Sequence, residues 1–90
     1  MTEADELRQL AERFEAALSA VIGSRPPASA RESQVAFRVL GLAMTYAEAG
    51  ADLGIAGGTA KEHMARLATK CGLSVLELKR RLLLQLLRVA

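Results

Sequence analysis

Three features of this 90-residue chain predict an all-α fold. Ala and Leu dominate an apolar content of 51%, and both favour helix over sheet. β-Branched residues are sparse and never alternate with polar ones over a strand length. The pattern Ser/Thr-x-x-Glu, in which the first side chain caps a helix and the acid bonds back, recurs along the chain. It stands at Ser29…Glu32, Thr45…Glu48, Thr59…Glu62 and Ser74…Glu77, with Thr2…Asp5 as a weaker version. Ninety residues make one domain. The expected organisation is an N-terminal amphipathic helix over 1–22, a linker over 23–28, and a domain of four short helices over 29–90 with a long C-terminal helix.

The first helix is expected from about Glu3 to Ile22. Leu7, Leu10, Phe14, Ala17, Leu18, Val21 and Ile22 recur at steps of three and four, which puts them on one face. Gly23-Ser24-Arg25-Pro26-Pro27 then breaks the chain and sets this acidic helix apart as an appendage. The second helix, Ala30 to about Ala43, should bury Val35, Val39, Leu40 and Leu42, with Phe37 or Ala36 at the margin. The third, Tyr46 to Leu53, is rich in Ala and Gly, and Gly50 in its middle implies a close approach of another segment. Gly54 is expected as its left-handed stop. The fourth helix should start at Thr59 or Ala60, with Thr59 as cap and Glu62 as its capping partner, and run to Cys71 before Gly72 ends it. The fifth covers Val75 to about Val89.

Composition also sets limits on function. A lone cysteine, Cys71, allows no intrachain disulfide and reads as a small core residue suited to a reducing cytoplasm. The first six residues are acidic and do not form a secretory signal, and no window has the roughly 18 apolar residues of a membrane span, so a cytoplasmic protein with no membrane partner is expected. One histidine and no cysteine pair leave no metal set, and no cofactor is expected. The 28 residues ahead of the domain are too few for a phosphoacceptor or ligand-binding domain.

The net charge of +2 is unevenly spread. Residues 1–22 carry five acids against Arg8 and Arg13, whereas residues 56–90 carry seven Lys and Arg against Glu62 and Glu77. A basic C-terminal half suits a polyanionic partner, and equally a set of solvated helix faces. Lys79-Arg80-Arg81 carries the same two readings, phosphate clamp or solvated face.

At ~100° per residue the fourth helix sorts into two sides. Met64, Leu67, Ala68 and Cys71 share the core side. Thr59, Glu62, Ala65, Arg66, Thr69 and Lys70 share the opposite one, flanked by Lys61 and His63. Small residues permit close approach to a groove, and basic residues meet phosphates. Glu62 has two readings, helix cap or acceptor for a cytosine amine.

Residues 31–80 resemble the helix-turn-helix domain of LuxR-type response regulators. The matching stretches are Arg31-Glu32-x-x-Val35, Thr45-x-x-Glu48, Leu53-Gly54-Ile55, Gly58-Thr59-x-Lys61-x-His63, Arg66, Lys70-x-Gly72 and Ser74…Glu77-Leu78. The resemblance implies a four-helix DNA-binding domain whose third helix, here the fourth (about 59–71), enters the major groove, and whose last helix can dimerise. It implies that Thr59 and Lys61 touch phosphate or base edges and that Glu62 and Ala65 face the groove. Arg66 and Lys70 would then grip backbone, and His63 would bond phosphate at the margin. The family's usual serine after Leu-Gly-Ile is Ala56 here, and its usual aliphatics around the lysine are Ala60 and Glu62. The chain is also similar to sigma-factor region four at Thr45-Tyr46-x-Glu48. The interval from Val35 to Leu53 fits that family as well, being one residue longer than the LuxR-type spacing.

Three function classes follow. A small transcription regulator would bind double-stranded DNA as a homodimer, because the last helix is apolar most of the way round; Leu76, Leu83, Leu84 and Leu87 would form the interface. Lys61, Arg66 and Lys70, with neighbours such as Arg31, would give some three to five phosphate contacts per subunit. An adaptor or anti-activator would keep the fold, forgo DNA, and bind another transcription regulator or RNA polymerase through its leucines and acidic first helix. An enzyme is not expected: the chain has no nucleophile–histidine spacing, no paired catalytic carboxylates and no phosphate loop.

Overall fold

The computed structural model describes residues 2–89, with side chains through Arg88. Met1, the side chain of Val89, and Ala90 at the end of the expected domain lie outside the described residues. Five α-helices follow in order: α1 Glu3–Ile22, α2 Ala30–Ala36, α3 Tyr46–Leu53, α4 Gly57–Lys70 and α5 Val75–Val89. The described residues form no strand.

Local chemistry sets most borders. Thr2, Ser29 and Thr45 each cap a helix through the side chain, and their own amides donate the reciprocal bond to the carboxylates of Asp5, Glu32 and Glu48. Ser74 accepts from the Glu77 amide at 3.1 Å, while the Glu77 carboxylate turns to Arg80 and Arg81. Gly54, at φ +72°, ends α3, and the Ile55 amide reaches back to the Gly50 carbonyl at 2.8 Å. The same wrap follows α4. The Gly72 amide donates to Thr69 and the Leu73 amide to Ala68, which satisfies carbonyls the helix cannot.

Two borders differ from the sequence reading. The second helix does not run on to Ala43 as an α-helix. It widens into a π-helical turn over Phe37–Gly41, where the Leu42 amide donates to the Phe37 carbonyl at 3.0 Å. The wider turn rotates the side chains: Val35 and Ala36 are fully buried, while Phe37, Val39, Leu40 and Leu42 are all half-buried. The fourth helix begins at Gly57, two residues before Thr59, and Ala56 caps it with backbone alone. No Thr59–Glu62 capping box forms. The Ala60 amide already donates to the Ala56 carbonyl at 3.0 Å, so Thr59 lies inside the first turn. This early start sinks Ala60 completely into the core.

One core joins the elements. It contains Phe14, Ala17, Leu18 and Ile22 of α1, Val35 and Ala36 of α2, Ala60, Met64, Leu67 and Ala68 of α4, Cys71 after it, and Leu78 and Leu82 of α5. α1 is therefore part of the body and not an appendage. It packs along α5 and meets the π turn, where Phe14 and Phe37 stack edge to face with centroids 5.6 Å apart. The radius of gyration, 12.6 Å, matches the ~12 Å of a single compact domain of this length. Near the N-terminal end of α1, Leu7 is exposed.

α3 and α4 form the tightest helix pair, joined by Gly54-Ile55-Ala56. A Cβ on Gly50 would lie 2.6 Å from the Ile55 carbonyl oxygen and 3.1 Å from the Gly57 nitrogen. The close approach that Gly50 permits is thus to the connecting turn, which folds back against α3. This contact fixes where α4 leaves the turn.

Candidate functional site

α4 has its apolar side fully committed to the core: Ala60, Met64 and Leu67 are inaccessible, and Ala68 and Cys71 nearly so. Burial pushes the Cys71 thiol up, and the side chain belongs to the core cluster. The opposite side is open. Thr59, Lys61, Glu62, Ala65, Arg66 and Thr69 are exposed, and His63 is half-buried at the margin. At ~100° per residue, Glu62 falls almost diametrically opposite the middle of the buried stripe. Gly58, Ala65, Arg66 and Thr69 surround it.

Around Glu62 the relief of this face is low. Gly58 has open space where a side chain would stand. The Thr69 hydroxyl donates to the Ala65 carbonyl at 2.9 Å and so folds onto its own helix. Lys61 and Arg66 extend into solvent on either side, with no ion pair among the described residues.

Two expected phosphate contacts are engaged within the fold. Lys70 Nζ donates to Glu32 Oε1 at 2.7 Å and lies 3.5 Å from the Pro27 carbonyl. The Glu32 side chain is 5% exposed and that of Lys70 34%. Burial alone would push the Glu32 carboxyl up. The bonds from Lys70 and the Ser29 amide, together with the charge of Lys70, more than offset this and hold it below the usual carboxylate range. Arg31 is half-buried and donates to the Leu53 carbonyl at 3.4 Å, where it caps the end of α3. Lys70 and Arg31 therefore tie α2 to the ends of α4 and α3. The sequence offers Ser29…Glu32 as a cap but gives no sign that Glu32 is buried and needs a cation.

The leucines of α5 divide cleanly. Leu78 and Leu82 are buried and Leu86 is half-buried. Leu76, Leu83, Leu84 and Leu87 remain 61%, 46%, 55% and 73% exposed. The i, i+7, i+11 spacing places Leu76, Leu83 and Leu87 on one outward stripe, with Leu84 beside it. α1 covers a different side of α5 and leaves this stripe bare.

No helix among the described residues is long and apolar enough to cross a membrane. The chain matches no protein-family model, no curated protein and no solved structure.

Proposed function

We propose that this chain is a small DNA-binding transcription regulator that inserts the open face of α4 into the major groove and works as a homodimer. One observation carries the reading. α4 is held by a fully buried side, and it presents a low face of Gly58, Ala65 and Thr69 bordered by free cations at Lys61 and Arg66. Low relief lets the helix backbone descend between phosphates, and the bordering cations meet them there. The LuxR-type resemblance of residues 31–80 agrees with this use of α4 as the recognition helix of a helix-turn-helix. The bare leucine stripe of α5 is the surface on which two copies would meet, which would set two recognition helices about 34 Å apart on a palindrome-like site.

The test is titration of labelled duplex DNA over a range of salt. With Lys70 and Arg31 engaged in the fold, Lys61 and Arg66 remain, which gives about four phosphate contacts per dimer and a log–log slope near −3.6. Lys61→Ala should weaken binding to all duplexes and reduce the slope.

The adaptor reading keeps a specific observation of its own: an acid, Glu62, sits at the middle of the open face. Absence of any duplex binding at low salt would favour that reading and refute ours.

A further inference from the structure

We propose that Glu62 sets base choice, by accepting a hydrogen bond from the N4 amine of a cytosine in the major groove. The proposal rests on the DNA-binding reading of α4 and goes further, to what the site selects.

Glu62 is the one acid of the repeated Ser/Thr-x-x-Asp/Glu series that has no work within the fold. Asp5 and Glu48 close capping boxes, Glu32 caps α2 and holds Lys70, and Glu77 lies near two arginines. Glu62 has no such role because α4 starts two residues early and leaves Thr59 inside the helix. Arg66, one turn on, is at the right spacing for an ion pair, yet none forms. The carboxylate is exposed at the crest of the face, with a bare glycine and an alanine beside it. Whatever α4 docks against, Glu62 reaches its floor first, with the cations of Lys61 and Arg66 toward its walls.

Chemistry then narrows the partner. An ionised carboxylate only accepts hydrogen bonds. In the major groove, guanine N7 and O6 and thymine O4 are acceptors too and would repel it. The remaining donors are cytosine N4 and adenine N6. Adenine N6 stands beside the N7 acceptor, which would confront the second carboxylate oxygen. Cytosine N4 has no acceptor beside it on its own base, so cytosine is preferred. The same negative charge opposes entry between phosphates, so Glu62 lowers affinity for duplexes in general while selecting among them.

Selection from a randomised duplex pool, with the full chain as wild type, Glu62→Gln and Glu62→Ala, tests this. Wild type should enrich one fixed C·G pair per half-site, about ten-fold over other pairs. Glu62→Gln should move the preference at that pair toward adenine, which an amide meets through both N6 and N7. Glu62→Ala should lose preference at that pair alone and bind random duplex at least as tightly as wild type. Glu62 is exposed and unpartnered, so all three proteins should melt alike. A Glu62→Ala site profile identical to wild type would overturn the proposal while leaving DNA binding intact. Failure of all three proteins to retain any duplex at low salt would instead remove the DNA-binding reading, and this proposal with it.

Discussion

Lys70→Met separates two roles that one lysine could play. Methionine keeps much of the apolar stem and deletes the ammonium that lies 2.7 Å from Glu32. Breaking a fully buried ion pair by removing one partner costs roughly 3–5 kcal/mol. Here water reaches the Lys70 side chain, 34% exposed, and Glu32 keeps the Ser29 amide at 2.9 Å. The loss should therefore be about 1–2 kcal/mol. For a chain whose total stability is of order 5–10 kcal/mol, that is a large fraction, and it lowers the melting point by roughly 5–15 °C. Thermal and urea melts followed by circular dichroism measure it. If Lys70 instead served as a phosphate grip, the variant would keep its stability and lose about one unit of salt slope per lysine removed. That result would refute the structural role.

The pH dependence gives a second check on the same variant. Glu32 has a folded pKa below its ordinary value of 4.5. A depressed carboxyl contributes stability that is present above the unfolded value and is lost as pH falls through the folded one. Without Lys70, its hydrogen bond and its charge no longer lower the carboxyl, so burial, which raises it, is opposed by the Ser29 bonds alone. The stability gap between wild type and Lys70→Met should be full at pH 7 and should close as pH falls below about 4.5. A gap that stays constant from pH 7 to pH 3 would show that the lysine acts through packing alone.

Leu83 and Leu87 are 46% and 73% exposed, so Leu83→Glu with Leu87→Glu should keep the helical fold, and any fall in melting point should reflect the lost dimer and grow with protein concentration. Sedimentation should shift from dimer to monomer, and a wild-type monomer at high micromolar concentration would remove the α5 interface. Gly50→Ala should destabilise by about 1–3 kcal/mol, because its Cβ meets backbone at 2.6 Å and the α3–α4 turn must open to admit it; a stabilised variant, as helix propensity alone would give, would contradict this packing. Ala43 has φ +57° without being glycine. Ala43→Gly should therefore be neutral or gain up to about 1 kcal/mol, while Ala16→Gly at an exposed position of α1 should lose about 1 kcal/mol, and equal losses at both would refute the strain.

Helix identity was legible in the sequence because it is written locally. Caps, glycine stops and the three–four spacing are properties of a few neighbouring residues, and α1, α3 and α5 fall where those signals put them. Apart from the π turn at Phe37–Gly41, the failures are non-local. Thr59…Glu62 is as good a capping pattern as Ser29…Glu32, but the docking of the turn on Gly50 and the burial of Ala60 start α4 earlier. Lys70 and Arg31 look like free cations until the fold brings Glu32 and the Leu53 carbonyl to them. α1 looks like an acidic appendage because its linker is obvious, whereas its partners Phe37, Leu78 and Leu82 lie far along the chain. On the candidate face itself, Thr59, Lys61, Glu62, Ala65, Arg66 and Thr69 are exposed where periodicity puts them, whereas Lys70 is half-buried and held by Glu32, and Ala60 joins the core.

The π turn shows why such decisions matter for the site. The widened turn at Phe37–Gly41 is the last turn of that helix and sets how the chain leaves it. With Phe37 rotated onto Phe14, α1 gains a ring to pack against and becomes part of the body. Met44 then reaches back to the Arg38 carbonyl at 2.9 Å, which closes the segment through Ala43 and delivers Thr45 as the cap of α3. Arg38 leans across to Asp52 near the other end of α3. Arg31, from the α-helical part of the same element, caps that end, and Glu32 beside it holds Lys70 at the end of α4. The element that carries the π turn thus fixes both helices of the α3–α4 pair, though none of its own residues lies on the open face. Substitutions along Arg31, Glu32 and Arg38 should therefore change the presentation of Lys61, Glu62 and Arg66 without touching any ligand, so effects on binding at these positions must be separated from contact by measuring stability alongside affinity.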